Sequence, residues 1–318
     1  MRCSIGIDVG SVSTNVVAVA ADGQVLANLY LPTGGRPVEA VRSGLLSLRE
    51  QLPKVEVTAV GTTGSGRHLA GVIVGADAVK NEITAHAVAA LQQVPGVRTI
   101  LEIGGQDSKI IILRDGVVTD FAMNTVCAAG TGSFLDRQAA RLGVPIQEFG
   151  ALALQSSSSV RIAGRCAVFA ESDMIHKQQM GHTVEDIAWG LCRALVRNYL
   201  NNVGKGKEIL SPVVFQGGVA ANRGIVRAFE EALGIEIAVP EFHAVMGAIG
   251  AARLGRDAVA PGSTTRFRGF GVLDRSFATR GHECRGCPNA CEVVEILEGD
   301  QIMARWGDRC GKWSSQIA

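Results

Sequence analysis

Ser4-Ile-Gly-Ile-Asp-Val-Gly-Ser-Val-Ser-Thr14 is a short apolar strand running into a turn of glycine, serine and threonine, and Thr99-Ile-Leu-Glu-Ile-Gly-Gly-Gln-Asp-Ser108 repeats that design in the middle of the chain. Each copy continues alike. The first leads to a strand at 15–20, an Asp22-Gly23 turn and a strand at 24–31; the second leads to a strand at 109–114, an Asp115-Gly116 turn and a strand at 117–122. Asp-Gly between alternating apolar segments is a hairpin signal, because both turn positions take positive φ cheaply. A helix over 37–51 and a strand over 56–61 complete a βββαβ unit, followed by the loop Gly61-Thr-Thr-Gly-Ser-Gly-Arg67 and a helical run over 81–93. The second half goes on to a helix at 184–201, a strand at 212–215, Gln216-Gly-Gly-Val-Ala-Ala-Asn-Arg223 opening a helix to 233, a strand at 236–239 and a small-residue helix at 244–254. Element order and turn dipeptide recur although few residues are identical, so the architecture is duplicated within an α/β chain.

At 318 residues the chain has room for two domains and an appendage. A net charge of +1, with no basic run, argues against nucleic acid or an anionic membrane as the main partner. No apolar run approaches the ~20 residues of a membrane helix. The first residues enter a strand with no signal or transit pattern, so the expected location is the cytoplasm. There the eight cysteines point to metal or redox chemistry rather than structural disulfides.

Three loops at strand ends are candidates for one nucleotide site. In the first, Asp8 leads a turn in which Gly10 permits close backbone approach, while Ser11, Ser13 and Thr14 offer N–H and hydroxyl donors to phosphate oxygens. In the second, Gly104 and Gly105 present backbone N–H groups beside Gln106 and Asp107, whose carboxylate can orient Mg²⁺ or a water. In the third, Gly217 and Gly218 stand at a strand-to-helix junction suited to an adenosine, with Asn222 nearby. Glycine-rich turns after strands are common; their recurrence in duplicated halves strengthens the reading. No Walker A lysine motif and no well-placed dinucleotide fingerprint competes.

Two cysteines stand apart. Asn124-Thr-Val-Cys-Ala-Ala-Gly-Thr-Gly-Ser-Phe-Leu-Asp136 sets Cys127 in a small-residue turn before an apolar-periodic run, and Gly164-Arg-Cys-Ala-Val-Phe-Ala-Glu-Ser-Asp173 does the same for Cys166. Both read as thiols at helix starts, where exposed N–H groups favour a thiolate for nucleophilic chemistry or metal ligation. A lone cysteine is more often core packing, but neither stretch carries the base expected of a hydrolytic cysteine. Two such thiols are half of a four-thiolate site. Cys3, in the first strand, and Cys192, in a helix, read as core, and His86 as a hydrogen-bonded core or interface residue.

Gly6-Ile-Asp-Val-Gly-Ser11, Asn81-Glu-Ile-Thr-Ala-His86, Glu102-Ile-Gly-Gly-Gln-Asp-Ser-Lys109, the two cysteine stretches and Phe215-Gln-Gly-Gly-Val219 together resemble the superfamily of acetate kinase, sugar kinases, actin and heat-shock chaperone ATPases. Within it the sequence is most similar to the activators (archerases) of 2-hydroxyacyl-CoA dehydratases and the ATPase subunits of benzoyl-CoA reductase. The resemblance implies two ribonuclease-H-like domains that clamp ATP or ADP, at 1–95 and 96–256, with the last helix able to return to the first domain and a cysteine-rich extension at 257–318. It implies Asp8, Gln106 and Asp107 as the hydrolytic group, with Mg²⁺ at Asp8 and Asp107. Many superfamily members carry Asp where Glu102 stands, which shifts the expected acidic role to Asp107. It further implies a homodimer in which Cys127 and Cys166 of each copy hold one bridging [4Fe–4S] cluster. ATP hydrolysis would drive a low-potential electron into a partner dehydratase or double-cluster reductase, with ferredoxin or flavodoxin as donor.

The tail reads His282-Glu-Cys284-Arg-Gly-Cys287-Pro-Asn-Ala-Cys291 and later Cys310, resembling the extension of long activase-like members. Four thiols so spaced suit a second [4Fe–4S] cluster, with zinc as the alternative. Two other functions compete with electron transfer: a small-molecule kinase of the same superfamily, and a nucleotide- or redox-sensing module.

Overall fold

The computed structural model of the chain describes residues 1–124 and 127–314, so Thr125 and Val126 of the first cysteine stretch lie outside it. The described residues divide into two compact units, residues 1–82 with 247 onward, and residues 83–246.

In the first unit, β1 (Arg2–Val9), β2 (Ser13–Ala20) and β3 (Val25–Pro32) form an antiparallel meander, followed by α1 (Pro37–Gln51), β4 (Glu56–Thr63), α2 (Arg67–Val74) and β5 (Ala78–Val79). The sheet order is β3-β2-β1-β4-β5, with β4 parallel to β1. Next, α3 (Glu82–Gln93) leads into the second unit: β6 (Thr99–Ile103), β7 (Ser108–Arg114), β8 (Val117–Asn124), α4 (Gly132–Leu142), α5 (Ile146–Ala153), α6 (Ala167–Gln179), α7 (Val184–Asn202), β9 (Val213–Gln216), α8 (Arg223–Leu233) and β10 (Ile237–Ala238). Its sheet order, β8-β7-β6-β9-β10, repeats the first strand for strand, which is the duplication expected from the two opening motifs. Each sheet centres on the strand that enters a glycine turn. β6 is buried along its whole length and β1 along nearly all of it, because both faces are covered. The edge strands β3 and β8 carry the exposed positions. Asp115 (φ 53°) and Gly116 (φ 76°) both take the left-handed region at the β7–β8 hairpin, as its Asp-Gly signal requires.

The chain returns to the first unit through α9 (Met246–Ala258) and a three-stranded antiparallel sheet, β11 (Phe277–Glu283), β12 (Glu292–Glu298) and β13 (Gln301–Trp306). Helix α9 packs with its backbone against the strands. A Cβ added at Gly6 would run into the Ala248 carbonyl, and one at Gly61 into that of Ala251. The tail sheet, α2 and α5 were not expected from the sequence. β11 shows little alternation, and β12 buries a carboxylate, Glu295, between Arg280 (2.6 Å) and Arg305 (2.7 Å), so the apolar periodicity that marks a strand is weak there. The tail sheet still contributes Ile296 to the first unit's core, beside Val272 and Leu273. No helix among the described residues is long and apolar enough to cross a membrane.

Candidate functional site

In the first unit the phosphate-type turn follows β1. The Gly10 N–H donates to the Ser13 carbonyl at 2.9 Å, closing the turn, and Ser11 stands exposed at its tip with Ser13 half-buried. Thr14 faces inward, its hydroxyl 3.0 Å from that of Thr33, which in turn donates to the Gly10 carbonyl at 2.8 Å. Thr14 therefore fixes the turn from behind. The loop after the parallel strand β4 packs on the same turn: Gly66 N–H donates to Val9 O at 2.9 Å, and a Cβ at Gly64 (φ +83°) would meet the Asp8 carboxylate. The Thr63 hydroxyl beside it is buried with no hydrogen-bond partner.

In the second unit, the other two candidate loops emerge side by side, because β6 and β9 are parallel neighbours in which Glu102 pairs with Gln216. Gly104 N–H donates to the Asp107 carbonyl at 3.0 Å, leaving Gln106 exposed at the tip. Lys109 is buried beneath this loop and bridges two carboxylates, Glu102 at 3.0 Å and Asp107 at 3.0 Å, the former buried and the latter about one-third exposed (34%). Gly217 takes φ +90° and lies against Ile103 O, while its N–H donates to His243 O at 2.8 Å. Gly218 begins the 3-10 turn that precedes α8. Asn222 caps α8 by accepting from Ile225 N–H at 3.1 Å, but its Nδ2 is buried without a partner, as are the Ser108 hydroxyl and Gln216 Oε1. Orphaned polar atoms around paired glycine loops suit a polar ligand. His86 is core, as expected: buried, 2.7 Å from Gln216 Nε2, and pushed down to about 3 by burial and then by the charge of Lys109.

The cysteine stretches lie in the same unit. Cys127 caps the 3-10 turn Ala128–Gly130 ahead of α4, and Cys166 caps α6, so both thiols stand at helix starts as the sequence suggested. Both are free and half-buried. Asn124 closes on Cys127 from two sides, accepting from its N–H at 3.0 Å and donating to its carbonyl at 2.9 Å. Asn198, on α7, ties the two stretches together: its Nδ2 lies 2.6 Å from Gly164 O and 3.9 Å from Cys127 Sγ. Sequence reading missed Asn198. Its one signal is an amide at a buried phase of an amphipathic helix. The cysteine segment is also hydrogen-bonded to the second phosphate-type loop, where Gly132 N–H donates to Gly104 O at 2.9 Å and Ser133 donates to Gly105 O through its N–H (2.9 Å) and hydroxyl (2.6 Å). Cys3 and Cys192 are core, with burial pushing the Cys3 thiol up to about 11 and that of Cys192 higher still.

In the tail, Cys284 is buried, and the Trp313 indole N–H (3.2 Å) followed by the Gly286 N–H holds its thiol below the ordinary value. Cys287 and Cys310 are exposed and Cys291 half-buried. Among the described residues, no three His, Cys, Asp or Glu side chains come together as a metal-binding group, so the structure does not gather the tail thiols into one.

The pattern that defines the BadF/BadG/BcrA/BcrD ATPase family matches residues 5–255. The chain is 36% identical over 254 residues to the (R)-2-hydroxyglutaryl-CoA dehydratase activating ATPase of Acidaminococcus fermentans, covering 78% of this chain and 95% of that protein. The solved structure of the activator of the 2-hydroxyisocaproyl-CoA dehydratase from Clostridium difficile, with bound ADPNP, aligns at a TM-score of 0.74 and 33% identity, covering 80% of this chain and 94% of that one. A ROK family glucokinase from Streptomyces griseus, 15% identical at a TM-score of 0.53 over 80% of this chain and 99% of its own, shares the fold alone.

Proposed function

The chain belongs to the BadF/BadG/BcrA/BcrD ATPase family, and on that premise we propose that it is an ATP-driven activator passing single electrons to a partner iron–sulfur enzyme of the 2-hydroxyacyl-CoA dehydratase or double-cluster reductase type. The observation that carries this reading is the pair of half-buried thiols, Cys127 and Cys166, at two helix starts joined by Asn198, in a unit that also holds two glycine loops.

The thiols fit a shared cluster. One chain offers two thiolates, and two copies related by a two-fold axis offer four. Val168 (69% exposed) and Phe169 (62% exposed) stand in the first turn of α6 after Cys166, an apolar surface that a second copy would cover. A [4Fe–4S] cluster held by these cysteines would supply a low-potential one-electron couple. The protein's own share is to fix the thiols. Asn124 orients the backbone of Cys127, and Asn198 holds the Gly164 carbonyl ahead of Cys166.

Gly10, Ser11 and Ser13, then Gly104, Gly105 and Gln106, and finally Gly217, Gly218 and Asn222 are proposed to hold the nucleotide, the orphaned Asn222 Nδ2 and Ser108 hydroxyl supporting the last two loops. Asp8 and Asp107 are proposed for Mg²⁺ and water, with Thr14 in a supporting place behind the first turn. Lys109 holds one oxygen of Asp107, and the other is proposed for metal or water. The Gly132 and Ser133 hydrogen bonds to Gly104 and Gly105 give nucleotide chemistry a direct route to the segment that starts at Cys127. For the tail, the ungathered thiols license no step through a metal; a second cluster and zinc are separated by the same measurement as the bridging cluster.

That measurement is iron, zinc and acid-labile sulfide per dimer on anaerobically purified protein, with EPR after reduction, for wild type and the Cys127→Ala, Cys166→Ala and Cys284→Ala variants. About four irons per dimer, lost with either of the first two substitutions, is the expected result. Iron absent throughout while ATP still binds would overturn the electron-transfer reading in favour of a kinase or sensor.

A further inference from the structure

Beside the cysteine pair lies a cavity of about 670 Å³ lined by Arg161, Gly164, Arg165, Arg197, Lys205 and the amides Asn198, Asn201 and Asn202. A smaller one, about 250 Å³, adjoins it through Arg161 and Arg197 and adds Arg193. Arg193, Arg197, Asn201 and Lys205 recur every four residues along α7 and just past its end, so they form one stripe. Arg161 and Arg165 face it from the segment that leads to Cys166. Among the described residues none of these cations has a carboxylate within ion-pair distance. Arg193 is tied instead to the Ser159 hydroxyl at 3.1 Å and Arg197 to the Ile162 carbonyl at 2.5 Å. Burial, then repulsion from Arg193 and Arg161, pushes the Arg197 guanidinium below its ordinary value. The Asp173 carboxylate is turned to the Ala163 N–H, accepting from it at 2.8 Å, and holds the loop in place.

Like charges crowded with no carboxylate within ion-pair distance are unfavourable in the isolated chain, and an anionic partner relieves them. The position narrows the partner. Asn198 lines the cavity and touches both cysteine stretches, so whatever seats there lies against the proposed redox centre. We infer that this basic cavity is the landing site for an acidic protein electron carrier that loads the Cys127–Cys166 centre, an assignment that rests on the electron-transfer reading above. A small, charged patch matches the transient interfaces of electron carriers, which lie at the low end of interface size and depend on charge steering for fast encounter. In the transfer, one electron leaves the carrier, which is oxidised by one, and is taken up at the cysteine-held centre. No bond forms or breaks and no proton moves.

The test uses the intact anaerobic protein, the double charge reversal Arg161→Glu with Lys205→Glu, and an acidic [2Fe–2S] ferredoxin as probe. Iron content and reduction by dithionite are measured first; wild type without iron would remove the electron-transfer premise, and the docking claim would then stand or fall on binding of oxidised ferredoxin alone. For iron-loaded protein, the expected result is that the reversal leaves iron, dithionite reduction and ATP binding unchanged. It should slow reduction by ferredoxin at low salt by about tenfold or more, weaken ferredoxin binding, and flatten the fall in rate between low and high salt. Ferredoxin binding and rate that survive the reversal with the same salt dependence would overturn the proposal. So would ferredoxin indifference combined with reversal-sensitive binding of pyrophosphate, which would make the cavity a small-anion site.

Discussion

Lys109→Met tests whether the second phosphate-type loop is held from beneath by a buried charge. Lys109 and Glu102 are each at least nine-tenths buried and 3.0 Å apart, while the other partner, Asp107, is 34% exposed. At an effective dielectric of about 20 the Lys109–Glu102 attraction is roughly 5–6 kcal/mol, offset largely by desolvation of both ions. Removing the lysine takes the ammonium away from the buried Glu102 carboxylate and from Asp107, which costs about 3–5 kcal/mol at pH 7. Glu102→Gln should cost roughly 1.5–3 kcal/mol, because Lys109 keeps Asp107. Asp107→Asn should cost under about 1 kcal/mol, since that contact is partly screened by water. The double variant Glu102→Gln with Lys109→Met should be more stable than Lys109→Met alone, because the buried negative charge is removed together with the cation that faced it. The assay is urea unfolding followed by Trp189, which packs against the second unit's core, in a background where Trp306 and Trp313 are replaced by Phe so that the second unit is read by itself. A Lys109→Met variant within about 1 kcal/mol of wild type, or a double variant as unstable as the sum of its singles, would refute the reasoning.

His86, held neutral at a value of about 3, refuses a proton that the unfolded chain accepts near 6.5, so it removes stability as pH falls below 6.5 and continues to do so down to about 3. His86→Gln should therefore flatten the pH dependence of second-unit stability between pH 6 and 5 by about 1.4 kcal/mol per pH unit, measured by the same unfolding assay. Gly61→Ala places a methyl on the Ala251 carbonyl and should displace α9 from β4, lowering the first unit's melting temperature by several degrees, whereas Gly96→Ala, with open space, costs only the left-handed φ of +74°. Gly130→Ala would put its methyl 2.7 Å from Asn198 Oδ1, so Asn198 must turn; iron per dimer should fall while ATP binding persists, and unchanged iron would count against Asn198 as the tie between the cysteine stretches. Ser133→Ala removes the 2.6 Å bond to Gly105 O, should cost about 1 kcal/mol, and should reduce the dependence of electron transfer on ATP hydrolysis more than hydrolysis itself, read as electrons delivered per ATP.

The duplicated sheets, both Asp-Gly hairpins and the helix-start setting of Cys127 and Cys166 were legible in the chain because each rests on local chemistry. Period-two apolar runs, positive-φ turn residues and small residues before a helix act over a few residues. The tail sheet was not legible: its middle strand hides Glu295 between arginines on neighbouring strands, and such a pairing is visible only once the strands lie together. The same holds at the site. Lys109 reads as one more strand residue until folding sets it between Glu102 and Asp107, and Thr14 reads as a phosphate donor until its hydroxyl meets Thr33. Asn198 lies 71 residues from Cys127, yet it is the side chain that joins the cysteine stretches. Local patterns thus determined which elements form and where reactive groups begin them, while long-range packing chose their partners, because burial and hydrogen-bond satisfaction are settled between segments that the sequence keeps far apart.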